Sequence, residues 1–141
     1  MPQKIQQYCQ DTGQPIPETK GEIARVVYES LAMSYRETFK GLEKLKGKRI
    51  NTLHIVGGGS KNRLLNQMTA NAVGRPVVAG PSEATAVGNL MVQAMAMGEV
   101  RDLSEMREVV LNSFDVERYE PIETGRWTDA HEKYKKIIEV S

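Results

Sequence analysis

The chain has 141 residues, about one domain's worth, with 40% hydrophobic and 26% charged residues, the balance of an ordinary globular protein. A net charge of +1 without a basic tract gives no electrostatic support to nucleic-acid or membrane-surface binding. No apolar run nears the ~20 residues that span a bilayer, residues 1–20 show no signal-peptide pattern, and the single cysteine, Cys9, cannot close an internal disulfide and suits a reducing cytoplasm.

Residues 1–20 hold Pro2, Gly13, Pro15 and Pro17, so they support only a short helix over 2–10. Thr19 and Glu22 then form a capping box that opens a helix at Lys20 or Gly21. Ile23, Val26, Val27, Leu31, Tyr35, Phe39, Leu42 and Leu45 recur at spacings of three and four, with Arg25, Glu29, Arg36, Glu37 and Lys40 mostly on the other faces. That is an amphipathic helix ending near Gly47, with its charged side in solvent.

The β-rich run Leu53-His54-Ile55-Val56 predicts a strand, cut off by Gly57-Gly58-Gly59. A stripe of Leu64, Leu65, Met68, Ala72 and Val73 predicts a helix over 61–73, closed by Gly74 at C′ with Pro76 beyond. Residues 75–79 form a second short strand, Gly80-Pro81 turns the chain, and Ser82 is placed to cap a helix over 83–97. That helix is apolar and rich in small residues, which predicts packing against the sheet. Gly88 in its middle costs on the order of 1 kcal/mol relative to alanine, tolerable if something comes close to that turn. Gly98 ends the helix, Ser104 can cap a short one over 105–112, and residues 113–124 read as an extended or irregular connection broken by Pro121. A last helix over 128–139 places Ala130, Tyr134, Ile137 and Ile138 at helical spacing, with Trp127 packed beneath it.

Strand, glycine turn, helix is the order of a parallel α/β unit that binds a ligand at the carboxyl end of its strand. Three successive glycines remove every Cβ from the turn, so a flat group can approach the backbone, and the next helix offers free N–H groups at its start. Two common glycine loops are excluded. Asn62 stands where a dinucleotide fingerprint needs its third glycine, and Lys61 lacks both the preceding glycine and the following Ser or Thr of a phosphate loop. His54 and His131 lie far apart without Cys or paired-carboxylate company, which argues against a structural metal site.

The runs Gly57-Gly58-Gly59-Ser60-Lys61-Asn62-Arg63-Leu64-Leu65-Asn66-Gln67, Gly74-Arg75-Pro76-Val77 and Gly80-Pro81-Ser82-Glu83-Ala84-Thr85-Ala86-Val87-Gly88-Asn89 together resemble the C-terminal domain of the FGGY carbohydrate kinases. The likeness covers roughly residues 1–120. Within the family it is strongest to members acting on L-rhamnulose, ahead of kinases of xylulose, gluconate or glycerol.

The resemblance implies an α/β fold: the C-terminal part of an actin-like ATPase (ribonuclease H-like) domain, helix-rich with a short parallel sheet, lacking the first strands of the domain. The division would be a lead-in over 1–18, a core over 19–112, and a tail with its helix over 113–141. It further implies ATP as phosphoryl donor, Mg²⁺ carried by the nucleotide, and adenosine held by Gly57, Gly58, Gly59, Ser60 and Asn62. No metal ligand and no catalytic residue falls in this chain. The family's base is an aspartate in a Gly-x-Asp-x-Gly type motif, whereas Asp11, Asp102, Asp115 and Asp129 sit in ordinary loop or cap contexts. The chain would then be a C-terminal fragment, inactive alone, with the sugar bound mainly by a missing N-terminal domain. The strand over 53–56 would have lost its sheet neighbours, and a bare edge favours self-association. The competing reading from another class is a non-catalytic adenine-nucleotide or interaction module.

Overall fold

In the computed structural model, which describes residues 1–139, the longest element is α2 (Lys20–Lys46), preceded by α1 (Pro2–Asp11). Its start follows from the capping box: Thr19 Oγ1 accepts from the Glu22 amide at 3.2 Å, and the Glu22 carboxylate accepts from the Thr19 amide at 2.8 Å. The Thr19 amide first, and next the Glu18 amide, which donates to the same carboxylate at 2.8 Å, hold the Glu22 carboxyl below its ordinary range. Gly47 ends the helix at φ 64°, a left-handed cap that glycine adopts without strain.

β1 (Leu53–Ile55) pairs in parallel with β2 (Val77–Ala79), Leu53 opposite Val77 and Ile55 opposite Ala79. β2 is the central strand, and Val77 and Ala79 are its buried members. A third strand, β3 (Glu117–Tyr119), runs antiparallel along the far side of β2. This corrects the irregular connection expected there. Glu-Arg-Tyr carries no apolar alternation, and the open edge of β2, not local propensity, makes it a strand. The expectation for β1 also needs correction. It keeps one neighbour, β2, and among the described residues its outer edge is unpaired.

α3 (Arg63–Val73) packs along α2, and α6 (Thr124–Glu139) closes over both. Ala32 and Met33 of α2, Met68 and Ala72 of α3, and Trp127 of α6 form the buried cluster, with Tyr28, Ala130 and Tyr134 around it. α6 begins at Thr124, not 128, so Trp127 belongs to the helix itself. Residues 140 and 141 of the expected tail lie outside the described residues. His131, 2% exposed, pins α6 to α2 through a hydrogen bond with Glu37, and Arg36 Nη1 donates to the Ala72 carbonyl at 2.8 Å.

α4 (Ala84–Ala96) and α5 (Leu103–Ser113) depart most from expectation. α4 does not lie against the sheet: Met91 is its one buried residue, while Leu90 and Val92 are exposed. A Cβ at Gly88 would meet nothing within 4 Å, so no neighbour within the chain requires that glycine. Ser82 does not cap α4, whose N-cap is Glu83 without a side-chain bond. At α5 the cap is Asp102, not Ser104; its carboxylate accepts from the Ser104 and Glu105 amides at 2.8 and 3.0 Å. Aspartate two residues earlier reaches both free amides, whereas Ser104 is already inside the first turn. Among the described residues no helix is long and apolar enough to cross a membrane.

Candidate functional site

The glycine turn sits at the carboxyl ends of the two parallel strands. The Gly57 amide donates to the Pro81 carbonyl at 3.1 Å, and the Gly80 amide donates to the Ile55 carbonyl at 2.8 Å. The turns that follow β1 and β2 are thus stitched to each other, across a cis Gly80–Pro81 bond. After Gly57 the chain winds one 3₁₀ turn, Gly58–Lys61. The Ser60 amide and hydroxyl both donate to the Gly57 carbonyl, at 3.0 and 2.7 Å, and the Asn62 amide donates to Gly59 at 3.1 Å.

The three glycines serve different ends. Gly57 has φ 79° and ψ −164°, a conformation essentially reserved for glycine, so the backbone itself requires it. Gly58 and Gly59 are exposed, lie outside the left-handed region, and a Cβ on either would meet nothing within 4 Å. Neither internal packing nor backbone angle calls for glycine there. What their absence of side chains creates is bare peptide facing open space, accessible to a flat ligand.

Ser60 and Asn62 join the same turn but are partly engaged inside it. Ser60 is buried, with its hydroxyl on the Gly57 carbonyl. Asn62 is the N-cap of α3, and its Oδ1 accepts from the Leu65 amide at 3.1 Å. The helix therefore starts at Arg63 instead of 61, and the Oδ1 of Asn62 is taken up by the cap.

Two features were not foreseen from the sequence. Asn66, 0% exposed, donates from Nδ2 to the Ser60 carbonyl at 2.8 Å. An asparagine inside a helical stretch gives no sign that it reaches back six residues to a turn. The other is Glu117 on β3, which accepts from the Tyr119 hydroxyl and from Arg63 Nη2, tying the third strand to the start of α3. Tyr119 first and Arg63 second hold the Glu117 carboxyl below its usual range. The Tyr119 phenol is pushed up by burial and then by Glu117, against an opposing hydrogen bond with Asn66.

Beneath the turn is a hollow of about 240 Å³, lined by Gly59, Leu65 and Asn66 and, from α2, by Tyr35, Phe39 and Leu42. It opens beside β1. A larger one of about 500 Å³ lies between α2, α3 and α6, where Arg25 pairs with Glu29 at 2.8 Å and Arg126 approaches Glu123 at 4.0 Å. Its charges cancel, and among the described residues no orphaned polar atom faces it. Trp127, on its wall, belongs to the core cluster. Among the described residues no group of three His, Cys, Asp or Glu could hold a metal ion.

Residues 1–97 match the model of the FGGY family of carbohydrate kinases, C-terminal domain. A rhamnulokinase of Bacteroides thetaiotaomicron is 49% identical over 138 residues, 98% of this chain and 28% of that protein. Rhamnulokinases of Ligilactobacillus salivarius (43% identity, 98% of this chain, 28% of that protein) and Bacillus subtilis (47%, 91% and 26%) are similar along the same stretch. The chain thus spans little more than a quarter of the length of these curated relatives. Among solved structures, the xylulose kinase from Rhodospirillum rubrum superposes with a TM-score of 0.67, covering 91% of this chain and 26% of that one. At 21% identity that likeness shows the fold alone, and with the family match over residues 1–97 that fold is the C-terminal part of an actin-like domain.

Proposed function

The chain belongs to the FGGY family of carbohydrate kinases, and from that premise we propose that it is the C-terminal, ATP-binding portion of a longer kinase. The reaction is transfer of the ATP γ-phosphate to a sugar hydroxyl, and the sugar is L-rhamnulose, giving L-rhamnulose 1-phosphate. The observation that carries this reading is the 49% identity to a rhamnulokinase across nearly the whole chain, joined to an open glycine turn at the ends of a parallel strand pair.

In this reading adenosine lies against the bare backbone of Gly58 and Gly59, with Gly57 and Ser60 shaping the turn and the Asn62 amide nitrogen donating to the nucleotide. Phosphoryl transfer also needs a carboxylate to take the hydroxyl proton, and Mg²⁺ to neutralise phosphate charge. Neither comes from this chain. Asp11 accepts from Gln7 and Asp102 caps α5; in this reading the base, the sugar contacts and the closure over ATP belong to the rest of the kinase, with Mg²⁺ arriving on the nucleotide. The setting is the cytoplasm, where Cys9 stays a buried free thiol.

The 141 residues alone are therefore inactive, and the unpaired outer edge of β1, beside exposed Leu42 and Val56, drives self-association. Light scattering on the isolated chain tests the second point: a dimer or larger species is expected, and a monomer at every concentration contradicts it. For the reaction, the full-length protein is assayed with ATP, Mg²⁺ and a panel of L-rhamnulose, xylulose, gluconate and glycerol. L-Rhamnulose should give by far the highest kcat/KM. A preference for another member of the panel removes the substrate assignment, and absence of any turnover favours a non-catalytic nucleotide module.

A further inference from the structure

Asn66 has an environment that an amide does not fill well. It is wholly enclosed, 0% exposed, on a helix whose neighbouring Met68, Ala70 and Ala72 are also buried. Its Oδ1 has no hydrogen-bond partner. An unsatisfied buried acceptor is destabilising, and an apolar residue of the same volume would avoid that penalty. What the amide supplies is a donor: Nδ2 sits 2.8 Å from the Ser60 carbonyl, at the inner side of the glycine turn, and the Tyr119 phenol of β3, itself bonded to Glu117, also faces the side chain.

The other bonds of that turn are made by its own residues and by the backbone of the neighbouring turn. Ser60 closes onto Gly57 and Asn62 onto Gly59, and from the neighbouring turn Pro81 holds Gly57. Among the described residues, Asn66 provides the side chain that reaches the turn from outside, bonding the Ser60 carbonyl directly after the bare Gly58 and Gly59. The Ser60 carbonyl belongs to the peptide that follows the two bare glycines, so holding it anchors the C-terminal end of that stretch.

Resting on the nucleotide reading above, we infer that Asn66 is a positioning residue for ATP: its buried amide holds the glycine turn in the shape that receives adenosine, without touching the nucleotide. The inference predicts a selective defect. Losing the donor disturbs the nucleotide face of the site and leaves the sugar and the base, on the rest of the kinase, in place.

The test is Asn66→Asp and Asn66→Ala in the full-length kinase, read as separate Michaelis constants. Asn66→Asp keeps the shape but sets a carboxylate against the Ser60 carbonyl; protonated, the same group can donate again. At neutral pH the ATP KM should rise about tenfold, with kcat and the sugar KM within about twofold, and it should fall back toward the parent value as pH is lowered. Asn66→Ala should show the same split without the pH recovery, and carries the test alone if the aspartate variant does not fold. Equal rises in both Michaelis constants, a fall in kcat alone, or no change in either variant overturns the inference. Gly58→Val, measured in parallel, separates the two levels. If it raises the ATP KM while both Asn66 variants are silent, only the role of Asn66 fails. If it leaves the ATP KM unchanged, the nucleotide site is misplaced and Asn66 falls with it.

Discussion

Replacing Gly57 and Gly58 separately by alanine distinguishes what the fold needs from what the ligand needs. At Gly57, φ 79° and ψ −164° put a Cβ in a region that costs on the order of 1–3 kcal/mol, although its nearest neighbour, the Ser82 carbonyl, would be 4.0 Å away. At Gly58 there is neither positive φ nor any atom within 4 Å. Loss of glycine's freedom in the unfolded chain should then stabilise by about 0.4–1 kcal/mol. In urea denaturation of the 141-residue chain, a loss of about 2 kcal/mol lowers the midpoint by about 1 M at a slope near 2 kcal/mol/M. Gly57→Ala should show that drop and Gly58→Ala should show none. The ranking reverses for function in the full-length kinase, where the Gly58 methyl intrudes on space that overpacking makes costly by about 1–3 kcal/mol, so the ATP KM rises at least about fivefold. If Gly58→Ala destabilises as much as Gly57→Ala, the glycines serve the turn alone. If it is stable and leaves the ATP KM unchanged, the open space is not ligand space.

Asn62 can be divided in the same way. Asn62→Asp keeps an acceptor for the Leu65 amide and should hold stability while raising the ATP KM more than the sugar KM; Asn62→Ala should also lose about 1 kcal/mol of capping in urea denaturation. Trp127→Ala should cost about 3–5 kcal/mol, since the indole is buried among Met33, Met68 and Ala72, read as a loss of cooperative unfolding or a large fall in midpoint. Glu22 and Asp102 have folded pKa values below their ordinary 4.5 and 3.8 because each accepts backbone amides. Their contribution is therefore complete above those ordinary values and is lost as pH falls through the lower folded ones. Glu22→Gln should flatten the acid limb of the stability profile, and an unchanged limb would remove that cap from the account. Sugar-dependent ADP formation by the isolated chain, beyond a mock-purified control, would contradict the assignment of base and sugar contacts to the missing portion.

The long-range logic of the chain was legible where a residue type has one main reason to stand where it does. Thr19 with Glu22 marked the start of α2, Gly47 and Gly74 marked two helix ends, where the backbone is left-handed, and the short β-forming runs at Leu53 and Val77 marked the parallel pair. The same holds for the turn itself, found from three adjacent glycines. Features fixed by a distant partner were not legible. β3 is a strand because β2 has a free edge, and Asn66 is buried because a carbonyl six residues back needs a donor. Ser82 and Ser104 lost their expected caps because neighbouring residues, Glu83 and Asp102, occupy the boundary. α4 illustrates the converse. Its apolar composition predicted packing against the sheet, yet Leu90 and Val92, with Met97 at the C-cap, are exposed, since composition alone does not say which neighbour a helix meets.

The most direct test is a crystal structure of the full-length kinase with ADP. The purine should lie in van der Waals contact with the peptides of Gly58 and Gly59, with the Asn62 amide nitrogen within hydrogen-bonding distance of the nucleoside and Asn66 still on the Ser60 carbonyl. A purine bound elsewhere, with protein side chains filling the space in front of those glycines, would contradict the account at its base.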